Sequence, residues 1–110
     1  MAITRIIVVD FIMAGNLFQE QGYDIDRSAD NLAELKGQII VNYLEEKYPG
    51  VEIYADIAIQ KEAGTPWNLE VMAYVGEEEM DRTESAAIQQ QLVRLLAEGT
   101  AGLSWAVRAD

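Results

Sequence analysis

The sequence predicts an α+β domain in the order strand, helix, strand, strand, helix, strand, with one antiparallel sheet and both helices on one of its faces. Three observations carry that reading. Residues 3–13 are β-branched and apolar on both alternating faces, two stretches in mid-chain alternate apolar and polar side chains, and two longer stretches repeat apolar residues at helical spacing. The chain has 110 residues and is 50% hydrophobic, which is enough to bury one modest core, so a single domain over residues 1–110 is expected.

The first strand contains Ile3, Ile6, Ile7, Val8, Val9, Phe11 and Ile12. A run apolar on both faces belongs in the centre of a sheet. Ser28 then offers a helix cap, Asp30 and Glu34 place negative charge near the helix start, and Leu32, Leu35, Ile39, Tyr43 and Leu44 recur on one side. The spacing predicts a helix over residues 29–48, stopped by Pro49 and Gly50. Within it Gly37 is unfavourable by about 1 kcal/mol unless it lets the helix approach the sheet closely, and it is read here as such a packing position.

Val51, Ile53, Ala55, Ile57 and Ile59 alternate with more polar residues, and Leu69, Val71, Ala73 and Val75 repeat the pattern. The Lys61 to Pro66 segment between them has turn chemistry, so the two are expected to form a hairpin that sets Tyr54 opposite Tyr74 and Asp56 opposite Met72. A second helix starts between Glu77 and Thr83, carries Ile88, Leu92, Leu95 and Leu96, and ends at Gly99. Leu103, Trp105 and Val107 alternate as a last strand, with Trp105 in the core. In element order the whole chain resembles the ferredoxin-like superfold, the split βαββαβ arrangement. That fold hosts many unrelated functions, and no family motif accompanies the resemblance. Residues 14–27 are long for a plain connection, and an extra strand near residues 17–23 is expected there, with a functional flap or binding loop as the alternative.

Composition removes whole classes of chemistry. The 8 basic against 19 acidic residues give a charge of -11, which repels a phosphate backbone, so direct nucleic-acid binding is not expected. With neither Cys nor His, the chain has no disulfide, no thiolate nucleophile, no Ser-His-Asp triad and no usual zinc ligand set. No cofactor is indicated. The apolar run at residues 3–13 is broken by Arg5 and Asp10 and is too short to span a membrane; without a secretory leader or Cys, a cytoplasmic location is expected.

Asp24, Asp26, Ser28, Asp30 and Glu34 resemble a calcium loop, but Ala29 replaces its required Gly and Leu35 its bidentate Glu. Capping of the helix by Asp26 or Ser28 explains these residues better, and no metal site is assigned. Glu77, Glu78, Glu79, Asp81 and Glu84 form the densest acidic run and belong to a solvated helix start. The informative feature is the sheet face away from the helices, which carries Tyr54, Asp56, Met72 and Tyr74, together with one of the two alternating sets of the first strand. Either set leaves apolar surface uncovered.

The function read from these residues is a non-enzymatic interaction or assembly domain, homodimeric through that face, with Tyr54, Met72 and Tyr74 at the interface and Trp67 as a further contact at the hairpin tip. Two alternatives belong to other classes, the first resting on the acidic run and the second on the same sheet-face residues, Tyr54 or Tyr74 included. An acidic inhibitor could mimic nucleic acid towards a basic protein partner, and a small-molecule enzyme could use Asp10 or Asp56 as acid or base with a tyrosine hydrogen bond. No catalytic residue is assigned.

Overall fold

Strand β1, Arg5–Met13, lies in the middle of a mixed four-stranded sheet, as a segment apolar on both faces should. In this computed structural model, which describes residues 2–17, 22–62, 64–65 and 68–109, β2 (Glu52–Gln60) runs parallel to β1 on one side. On the other side β3 (Glu70–Val75) runs antiparallel to β1, and the short β4 (Glu78–Glu79) pairs with the end of β3. Gly76 makes that last turn. Its φ of +63° is the left-handed value that a two-residue hairpin loop with a leading glycine needs.

The chain between β1 and β2 forms a short helix α1, Ala14–Leu17, and then the long helix α2, Ile25–Lys47. Asp24 caps α2 by accepting a hydrogen bond from the Arg27 amide at 3.0 Å. At the other end Lys47 Nζ donates to Tyr43 Oη at 3.2 Å, and this bond above all holds its ammonium above the ordinary lysine value. Helix α3, Arg82–Gly99, follows β4 and is capped by Asp81. Both long helices bury their apolar stripes on the even-numbered side of β1: Ile6, Val8 and Ala73 meet Ile40 and Leu44 of α2 and Ile88, Leu92 and Leu96 of α3. A smaller cluster joins Ile12 and Ala14 to Ala29, Leu32 and Trp105.

The ferredoxin-like order and the all-antiparallel sheet are overturned by this strand order, while the α+β class stands. β2 and β3 are not a hairpin. They lie on opposite sides of β1, about 10 Å apart at ordinary strand spacing, a gap that the connection after Gln60 spans with ease. Alternation marks a strand and its faces without naming its neighbours, and the parallel β1, α2, β2 unit satisfies the same pattern.

The expected last strand is also absent: residues 103–107 join no sheet, because side chains of α2 satisfy their backbone. Ser28 Oγ accepts from the Val107 amide at 2.8 Å, and Asn31 Nδ2 donates to the Trp105 carbonyl at 3.2 Å. Trp105 is still buried, but Leu103 is 59% exposed. Of the connection at residues 14–27, α1 takes up Ala14–Leu17 and Tyr23 makes an isolated bridge with Arg108, while residues 18–21, the middle of the expected extra strand, lie outside the described residues. Helix α2 starts four residues before the expected position, so the cap is Asp24, and Ser28 is fully buried inside the helix. Gly37 is not a close-packing position either: a Cβ there would meet nothing within 4 Å. The close approach occurs at Gly99, where a Cβ would come within 2.6 Å of Ile39 Cδ1.

Candidate functional site

The pairing registers order the face opposite the helices into rows. Because directly paired residues share a side, Arg5 lies between Glu52 and Tyr74, Ile7 between Tyr54 and Met72, and Val9 between Asp56 and Glu70. Phe11 and Met13 extend the central column beside Ala58 and Gln60. Neither long helix packs on this side; the cluster beneath them draws on the even-numbered residues of β1. The centre of the face is therefore the apolar column Ile7, Val9 and Phe11, and the carboxylates of Glu52, Asp56 and Glu70 stand on the flanking strands.

Of the two alternating sets of β1, it is the odd-numbered one that joins Tyr54, Met72 and Tyr74. Tyr54 and Tyr74 are not directly opposite, as the hairpin register would have made them; they occupy successive rows on the two flanking strands. Tyr54 is 53% exposed, and its hydroxyl donates weakly to Glu52 at 3.5 Å. Tyr74 is half-buried under the Arg5 guanidinium, whose carbon stands 4.6 Å from the ring centroid. Arg5 Nε is buried with no hydrogen-bond partner among the described residues, which suits a cation held flat on an aromatic ring. The sequence does not single out Arg5; its signal is a lone cation in an apolar strand, flanked by positions of opposite face. Trp67 lies outside the described residues.

Asp10 and Asp56 are not brought together. Asp56 is exposed on the open face. Asp10 points the other way, is 6% exposed, and pairs with Lys36 of α2 at 3.0 Å while its other oxygen accepts from the Phe11 amide at 2.8 Å. This pair ties β1 to α2 between the two apolar clusters, and a separation of 26 residues leaves no sequence signal for it. Among the described residues no three His, Cys, Asp or Glu side chains are grouped so as to hold a metal. Of the calcium-like set, Asp24 is engaged as the cap and the others lie along α2. The acidic run is divided between the turn after β3, strand β4 and the start of α3, where Asp81 is the cap.

No helix among the described residues is long and apolar enough to cross a membrane. Comparison with protein-family models, with curated proteins and with solved structures gave no match.

Proposed function

We propose that this protein is a non-enzymatic interaction and assembly domain that forms a homodimer through the open face of its sheet. The observation that carries the reading is the column Ile7, Val9 and Phe11, flanked by Met72 and Tyr54 and left uncovered by both long helices. An apolar centre rimmed by charge is the anatomy of a protein interface, and a symmetric dimer needs no further partner. Tyr54, Tyr74 and Met72 supply the large, adaptable side chains that such interfaces favour.

Sedimentation equilibrium tests the proposal. The wild-type chain is expected to be dimeric at about 100 μM, well above a micromolar dissociation constant. Val9→Glu places a carboxylate between Asp56 and Glu70, and the pair Tyr54→Glu with Tyr74→Glu adds charge without touching the central column. Each is expected to give a monomer with unchanged far-ultraviolet circular dichroism, since these side chains lie outside the core beneath the helices. A wild-type monomer at that concentration, or variants that dimerise as before, would overturn it.

A further inference from the structure

The outer edge of β3 is only partly paired. β4 covers Tyr74 and Val75, and the Met80 amide donates to the Ala73 carbonyl at 2.8 Å before the chain turns into α3. Beyond that point the row is left unfinished. The Tyr74 carbonyl bonds towards β1, through the Thr4 amide at 2.8 Å, so by alternation the backbone groups of Ala73, Val71 and Leu69 point outward. Gln89 Nε2 of α3 reaches the Leu69 carbonyl at 2.6 Å, which is a side chain standing in for an absent strand. No described strand pairs with Val71 on that side. A groove of about 400 Å³ runs along this edge, between β3 and the first turns of α3.

We infer that this groove takes an extended, basic peptide that adds to β3 as a strand in line with β4. The stretch from Asn68 to Met72 is about 17 Å long at ordinary strand rise, the length of a five-residue segment; its outward groups are those of Val71, which no described strand pairs, and of Leu69, whose carbonyl the Gln89 side chain would have to release. The charge that would meet it is acidic. Glu70 and Glu79 line the groove, Arg82 is the one cation of the lining among the described residues, and Glu77 and Glu78 adjoin it. The pairing of Glu79 with Tyr74 and of Glu70 with Val9 puts both lining carboxylates on the side of the open sheet face. A strand laid in the groove therefore presents alternate residues to two environments: one set meets Glu70 and Glu79, and the other lies under α3 against Val71, Met80 and Ala86. The sequence selected is basic and apolar in alternation. This site uses the edge of the sheet and does not depend on dimerisation through its face.

The probe is an end-blocked, fluorescently labelled Lys-Val-Lys-Val-Lys peptide, with two derivatives N-methylated either at the lysines or at the valines. Only one of these sets of amides can face β3. Saturable binding below about 1 mM is expected, with loss in one methylated derivative only and no binding of Glu-Val-Glu-Val-Glu. Ala86 is exposed on α3, so Ala86→Trp fills the groove without entering the core, and it is expected to weaken the peptide at least about tenfold. Absence of saturable binding to the wild type would overturn the inference. So would equal loss in both methylated derivatives, equal affinity for the acidic peptide, or unchanged affinity in Ala86→Trp with native circular dichroism.

Discussion

Two side chains of α2 show how much a single atom decides. Ser28 lies inside the helix with no exposed surface, and its hydroxyl oxygen accepts the Val107 amide 79 positions away. Ser28→Ala keeps helix propensity but leaves that amide without its acceptor in a part-buried place, so a loss of about 1–3 kcal/mol is expected in urea unfolding. Hydrogen exchange at Val107 should accelerate more than the global change accounts for. Gly37 has the opposite outlook. With nothing within 4 Å of a Cβ there, Gly37→Ala removes backbone freedom from the unfolded chain at no steric cost, and stability is expected to rise by about 0.5–1 kcal/mol. A destabilised Gly37→Ala variant would show that the position is packed after all. The apolar spacing around Gly37 says that a helix runs through it; whether a neighbour stands close by is a fact about the neighbour.

Between elements, the Asp10 to Lys36 pair is the polar link in an otherwise apolar junction of β1 with α2. Its carboxylate is the more buried partner, with 8% of the side chain exposed against 18% for the lysine. Lys36→Met strands a buried charge, and a cost of about 2–4 kcal/mol is expected because the carboxylate loses its cation. Asp10→Asn combined with Lys36→Met removes both charges and is expected to fall within about 1 kcal/mol of wild type. Equal losses in the single and double variants would deny the coupling. At this scale the sequence was legible element by element: the doubly apolar strand at the sheet centre, both alternating strands and both long helices are found near their expected places. Pairing was not legible. A period of two is the same for a strand beside β1 and for a hairpin arm, so the open face could be read in Tyr54, Met72 and Tyr74, but not the row that joins Tyr54 to Met72 through Ile7.

For the whole molecule, a Cα radius of gyration of 15.2 Å exceeds the roughly 13 Å of a compact chain near this length. A sheet with helices on one side is two layers thick, and among the described residues no further layer lies over its other face. If a second copy supplies that layer, two chains of charge -11 must come together. Apolar burial then opposes long-range repulsion, and only the repulsion is screened by salt. The dimer is therefore expected to tighten between about 20 mM and 500 mM sodium chloride, read as a fall in the dissociation constant by sedimentation equilibrium. Weakening by salt would point instead to an interface held by opposite charges.

By itself the sequence determined the segments of β1, β2, β3, α2 and α3, their apolar sides, and which chemistries are missing, because these follow from period, propensity and the side-chain inventory; it misread residues 103–107 as a strand and showed neither α1 nor β4. It also carried the excess of apolar surface that one layer of helices cannot cover. Tertiary structure decided the rest: that β1 separates β2 from β3, that Asp10 turns to Lys36 instead of joining Asp56, that the C-terminal residues bind α2 instead of the sheet, and that β4 stops short along β3. The first three of these are choices among partners distant in sequence. Hydrogen-bond satisfaction and the shape of the assembled core make those choices, and neither has a local period to read.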